Sequence, residues 1–454
     1  MAYRYKFSNF YMAICAFVIT LAIAVFPGKS ALEGDQRTIG QISNKSDNWG
    51  FMTAFLYGEW PNFFGEWRFT LILFQLAISV SGFLMLTSDF RPRSSRQTLV
   101  YCLLLFASSM FSVQLWRDAS LYSFSLLGLG LINISYKSFG KLRLTLNLFG
   151  WVVLIFASMF KPLLSLALLP ILCWLLWQNS KDNIRKTIKI YVIPLIFLAA
   201  LPSFLDGGLT KFSKMQSVYP EQQPIILDLA MNYCWGQSDS IRSASKIALM
   251  SVVKPDYPVE SLCAATNPFR WDDLHTDPKV WMFSNPINRI TGENAAPQVR
   301  ELISEWASIV VRNPADWLQV RLLVIGPVLF MSNSFVSAEY KKAGFSAFDE
   351  LSNTLWKPLN LAIGVIDKMR FTSLFFLFLF QLLLLKHFSR SEFYDILKVK
   401  GNITFSTLAA VVAFSLMTLT FLAPNGRYVL PYILLNYILL YRSFNRKSQF
   451  PVAK

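Results

Sequence analysis

The chain has 454 residues, 54% of them hydrophobic and only 15% charged, with a mean hydropathy of +0.40. Soluble domains carry about 25% charge, so the composition argues against one. The formal net charge of +16 would suggest nucleic acid in a soluble chain. Here the basic residues gather in short loops between apolar runs, which is the positive-inside pattern, and nucleic acid is set aside as a partner. The runs are continuous and not alternating, so the expected class is an all-α polytopic membrane protein and not a barrel.

In chain order, Arg4 and Lys6 hold the N-terminus inside, and the run 11–26 follows as an uncleaved anchor. The loop 27–68 is then outside. Run 69–86 returns to Arg91, Arg93 and Arg96, and 99–115 goes out to a short turn at Trp116-Arg117-Asp118. Run 119–134 comes back to Lys137, Lys141 and Arg143, and 144–160 exits to Lys161-Pro162. Run 163–177 re-enters to Lys181 and Arg185, and 190–204 leaves again. Seven crossings therefore put the polar stretch from Asp206 outside. Its many prolines, and Trp235, Trp271, Trp281 and Trp306, mark it as a folded, mostly helical insertion.

Runs 318–335 and 351–366 are ambiguous: either both lie at the outer interface or both cross as a pair, giving 10–12 transmembrane helices. Runs 371–385, 403–422 and 428–441 complete the chain, with the C-terminus inside at Arg442, Arg446 and Lys447. The expected modules are an N-terminal transmembrane unit 1–204, an extracytoplasmic domain 205–369, and C-terminal transmembrane helices 370–454. Cys15, Cys102 and Cys173 sit in apolar runs as packing residues. Cys234 and Cys263 share the outer segment, where they either pair or stay free.

Sorting charges by side leaves Asp35, Arg37, Arg117, Asp118, Lys161, Asp228 and Arg427 on the outer face near span ends. Sugar transfer from a lipid phosphate needs this mixture: a carboxylate for the proton of the attacking hydroxyl, and cations for the departing phosphate. Each residue also has a plainer reading. Asp35 is otherwise a solvated loop acid, Asp118 a charge pair or N-cap, and Lys161 and Arg427 interfacial anchors. Asp228 is otherwise a structural acid near a helix start, and Trp60 part of an aromatic belt. The only histidines are His275 and His387, outside the apolar runs, which disfavours a His-ligated metal site or an intramembrane histidine catalyst.

The layout of an early outer-loop Asp (Glu33-Gly34-Asp35-Gln36-Arg37), a short outer Arg117-Asp118 turn, a large late outer domain and a terminal Arg427-Tyr428-x-x-Pro431 resembles the family C glycosyltransferases with the GT-C fold. It is closest to bacterial members that modify surface polysaccharides. The resemblance implies an inner-membrane enzyme taking a polyprenyl-phosphate sugar donor and an envelope glycan or lipid acceptor. It implies Asp35 as general base or as ligand of a divalent cation (Mg or Mn), with Asp47, Glu33 and Glu59 as competitors and Asp118 assisting. Arg427, Lys161, Arg37 and Arg117 would hold the lipid phosphate; Asp228, Trp60 and Tyr428 would meet acceptor or sugar.

Asn313-Pro314-Ala315-Asp316-Trp317-Leu318-Gln319-Val320-Arg321 is similar to a segment that leads back to the membrane in those relatives, with Asn313 capping, Pro314 starting the helix and Trp317 at the interface. A polysaccharide polymerase or ligase is the alternative, disfavoured by the scarcity of histidine. A transporter or flippase would want ionisable residues deep in the spans.

Overall fold

The computed structural model describes residues 11–20, 51–60, 67–89, 94–112, 117–161, 165–179, 200–209, 211–212, 222–254, 257–265, 295–326, 373–389, 396–420 and 430–445, with a few single positions between them. The described residues are helical, with no strand among them.

The bundle is built from α1 (Trp67–Leu86), α2 (Ser95–Ser112), α3 (Arg117–Ser135), α4 (Gly140–Met159) and α5 (Leu168–Asn179). Four further helices, α6 (Gln222–Trp235), α7 (Asp239–Met250), α8 (Ala295–Arg312) and α9 (Pro314–Ile325), form a second group. The chain then returns to the bundle as α10 (Leu374–Ser389), α11 (Ile396–Thr420) and α12 (Leu430–Asn445).

Pairings along the bundle fix the helix directions. Gln75 of α1 donates to Ser120 of α3, while Asn133 at the other end of α3 donates to the Met85 and Leu86 carbonyls, so α1 and α3 run the same way. Between them α2 runs the opposite way, as Tyr122 OH donates to Ser108 and Thr87 meets Tyr101. One end of the bundle therefore carries Asp118 and Lys161, and the other carries Asn133, Gln178 and Arg442.

Helix α3 is the hub, buried along most of its length between α1 and α4. Glycine makes the close approach possible. A Cβ added at Gly130 would stand 2.6 Å from the Gly82 carbonyl oxygen, and one at Gly128 would stand 2.9 Å from that of Gly150. Small residues of this kind let helix backbones touch where side chains would hold them apart. Gly130→Leu is accordingly expected to cost about 1–3 kcal/mol or more through overpacking, read as earlier thermal unfolding in detergent. Unchanged unfolding would mean that α1 and α3 do not meet at this point.

The bundle has a large apolar core and also exposes apolar side chains. Leu144, Leu148, Val152 and Phe156, one stripe of α4 at four-residue spacing, are exposed, as are Leu379, Leu382 and Leu383 of α10. Buried among the apolar core residues are Gln75, Ser79, Asp118, Ser120, Asn133 and Arg442. Among the described residues, Gly140–Met159 is the one helix both long and apolar enough to cross a bilayer by itself; Thr70–Leu86, Leu168–Asn179, Leu374–Leu384 and Gly401–Leu416 are shorter apolar helices.

Candidate functional site

Helix α3 opens at Arg117, which puts Asp118 in its first turn and not at the N-cap. Helix α4 ends at Met159 and the chain turns sharply: Lys161 donates its N–H to the Ser158 carbonyl, and its own carbonyl accepts from Ser165. The turn points Lys161 back into the bundle, where its Nζ lies 2.6 Å from Asp118 Oδ1 with the two side chains 3% and 0% exposed. A lysine expected to anchor in an interface or hold phosphate is thus fully withdrawn and paired. Desolvating both charges costs several kcal/mol per ion unless geometry is good, so a close contact is what such a pair requires.

The pair has a polar and aromatic setting drawn from distant parts of the chain. Tyr432, in the first turn of α12, is fully buried. Two residues along α3 from Asp118, Ser120 Oγ lies 2.7 Å from Tyr57 OH, and Gln75 Nε2 donates to both. Tyr57 belongs to the helical segment 51–60 that precedes α1, so this network ties that segment over the end of α3. The same segment is held from a second side, since the Phe51 N–H donates to Asp206 Oδ1 at 2.7 Å.

Trp60 is half-buried; its Nε1 donates to Thr70 Oγ1 and its ring packs on Phe74, centroids 4.9 Å apart. Phe74 then meets Phe124, and Phe124 meets Phe160, so a row of rings runs from Trp60 to the residue before Lys161. Trp60, expected to stack on sugar, uses this ring contact for packing. Arg117 is half-buried at the start of α3 beside the pair.

Asp228 has a different environment. Its Oδ2 accepts from the indole N–H of both Trp306 (2.6 Å) and Trp317 (2.8 Å), and Arg321 Nε stands 3.1 Å from Oδ1. Asp228 is 0% and Arg321 2% exposed, and the guanidinium also lies over the Trp317 ring at 5.5 Å. The carboxylate thus joins α6, α8 and α9 into one body. Trp317, expected at an interface, is buried because its indole serves Asp228. Asn313 precedes Pro314 as expected but makes no side-chain cap; its Nδ2 donates instead to the Ile309 carbonyl of the preceding helix.

In the same unit Ser238 caps α7 and also meets the Asp316 carboxylate of α9. Cys234 and Cys263 form a disulfide, with Cα atoms 5.2 Å apart, that ties the end of α6 to the short helix Ser261–Ala265.

Asp35, Arg37, Asp47, Glu33, Arg427 and Tyr428 lie outside the described residues. No group of three or more His, Cys, Asp or Glu able to hold a metal ion occurs among the described residues. At Asp118 the Lys161 ammonium stands where a cation would meet the carboxylate.

Several residues here escaped the reading of the sequence. Gln75 is a lone amide in an apolar run, and that isolation was its available signal. Tyr432 stands one position past the Arg427-to-Pro431 segment. Tyr57 and Ser120 carried no signal apart from their neighbours. Comparisons of the chain with protein-family models, with curated proteins and with solved structures find no match.

Proposed function

We propose that the chain is an integral membrane glycosyltransferase of the GT-C type, moving a sugar from a polyprenyl-phosphate carrier to an envelope glycan or lipid acceptor on the outer side of a bacterial inner membrane. The observation that carries this reading is the buried Asp118–Lys161 pair at one end of the bundle. The exposed apolar faces of α4 and α10 support a lipid setting, because broad apolar surface suits hydrocarbon and not water. In this reading the helices of the bundle alternate across the bilayer as part of 10–12 spans, both termini are cytoplasmic, and the Asp118 end faces out. A disulfide in the α6–α9 unit fits an oxidising space on that side.

The chemistry follows from the pair itself. A phosphate arriving on the lipid carrier competes with Asp118 for the Lys161 ammonium, which holds phosphate as a point charge. Asp118, released from its counter-charge, is left able to accept a proton. The acceptor hydroxyl oxygen forms a bond to the anomeric carbon, the bond from that carbon to the phosphate oxygen breaks, and polyprenyl phosphate leaves. The hydroxyl proton passes to a carboxylate. Negative charge nearby also favours the oxocarbenium-like transition state. Asp35, from the first outer loop, is a second carboxylate for this step by its place in the sequence, and Arg427 a further cation for the phosphate; no step here uses a metal ion.

Mass spectrometry of envelope glycans from wild-type, deletion and Asp35→Asn strains tests the function. Loss of one glycan decoration in the deletion strain is the expected result, and Asp35→Asn should reproduce it with the protein still inserted. Normal glycans in the deletion strain would refute a transferase. Collapse of a surface polymer to single repeat units would identify a polymerase instead.

A further inference from the structure

Within the α6–α9 unit, α8 and α9 follow one another directly but meet their surroundings with opposite chemistry. The outward side of α8 carries Gln298, Arg300, Glu301, Ser304 and Glu305, all exposed, which suits a helix in water. Past Arg312 the pattern reverses. The exposed residues of α9 are Pro314, Ala315, Leu318, Gln319, Leu322 and Leu323, with no charge among them. Leu318 and Leu322, one turn apart, are 44% and 45% exposed. Both charged residues of α9 turn instead toward the unit: Asp316 meets Ser238 at the start of α7, and Arg321 pairs with Asp228 of α6.

A helix on the surface of a soluble domain arranges itself the other way, with charges outward and leucines inward. An arginine in a membrane segment, by contrast, faces the protein interior and pairs there, because hydrocarbon gives its charge no partner. Arg321 fits the second description: it is buried against its acid while the leucines on either side of it in sequence, Leu318 and Leu322, are exposed. The apolar side of α9 also has apolar company. Helix α9 packs against α11, whose own exposed residues include Leu408 and Val411, so neighbouring helices of the unit and the bundle both present aliphatic surface.

We propose that α9 is seated in the hydrocarbon of the outer leaflet, with Leu318, Leu322 and Leu323 against lipid acyl chains and the boundary with water at the α8–α9 junction, near Arg312 and Asn313. At about 1.5 Å per residue α9 is about 18 Å long, enough to enter one leaflet of a core about 30 Å thick and not to cross it. The α6–α9 unit is thus moored to the membrane by a helix of its own, and the Asp228–Arg321 pair is what lets a charged residue stand at that depth. The proposal rests on the lipid setting of the bundle and is independent of sugar transfer.

The test uses the full-length protein in vesicles of phosphatidylethanolamine and phosphatidylglycerol, with Cys15, Cys102 and Cys173 replaced by Ala and the Cys234–Cys263 disulfide kept. A nitroxide is attached at one new thiol in each of Leu322→Cys, Leu323→Cys, Glu301→Cys and Leu148→Cys. Its relaxation is read with molecular oxygen, which concentrates in lipid, and with a nickel chelate, which stays in water. The expected result is relaxation several-fold stronger by oxygen than by nickel at 322, 323 and 148, and the reverse at 301. Nickel dominance at 322 and 323 with oxygen dominance at 148 overturns the proposal and leaves the bundle in lipid. Protection of 322 and 323 from both reagents also overturns it, because protein then covers the face. Nickel dominance at 148 as well as at 322 refutes the lipid setting itself. Should Leu322→Cys not fold, Leu323→Cys carries the same reading.

Discussion

Asp118→Asn is expected to abolish sugar transfer and to destabilise the protein together, and the double variant Asp118→Asn/Lys161→Met should separate the two effects. Each single change strands one buried charge. Lys161 without Asp118, or Asp118 without Lys161, costs about 3–5 kcal/mol, whereas replacing both by neutral side chains is often close to neutral. Residues in contact at 2.6 Å are the ones whose substitutions fail to add. The double variant is therefore expected to recover most of the thermal stability in detergent. It should not recover activity: losing a general base costs on the order of 10²- to 10⁴-fold, and the phosphate loses its cation as well. Turnover of lipid-linked sugar in purified protein provides the second readout. A double variant that regains both stability and turnover would make the pair a structural lock, and the proposed site would fail.

Asp228→Asn is expected to have the opposite signature, a large loss of stability in the α6–α9 unit with no specific change in acceptor binding. The amide keeps one oxygen for the two indoles but offers no charge to Arg321, which is 2% exposed. Breaking a buried pair from one side again costs about 3–5 kcal/mol, and limited proteolysis between residues 222 and 326 should report it. The family resemblance implied an acceptor-binding acid here, beside the plainer reading of a structural acid. A stable Asp228→Asn protein with weakened acceptor binding would restore that role. Two tryptophans and an arginine converging on one carboxylate favour the structural one.

The helices were legible because apolar runs and basic loops are local signals. The runs 69–86, 99–115, 119–134 and 144–160 anticipate α1 to α4 closely, and the Asn313-Pro314 pair marks the start of α9. What sequence could not supply is which buried polar groups meet, because partners lie far apart along the chain: Arg442 and Asn133 are 309 positions apart and Trp317 and Asp228 are 89. Arg442 was read as one more inside cation, and Lys161 as an interfacial anchor or a cation for the lipid phosphate. Both readings follow from charge near a span end, and both miss that a carboxylate or a set of amides waits inside the bundle. The pairing of Cys234 with Cys263 stayed open for a related reason, since spacing in one loop does not fix Cα separation.

The Asp228 clamp also has a timetable. Trp306 and Trp317 follow Asp228 by 78 and 89 residues, and Arg321 comes four positions later still. At about 5–20 residues per second, the growing chain exposes Asp228 on the order of ten seconds before its counter-charge exists. Cys234 and Cys263, only 29 positions apart, are both made within that interval and can be linked first. Helix α6 can therefore be tethered before α9 exists, but its acid meets its counter-charge only once Arg321 has been made.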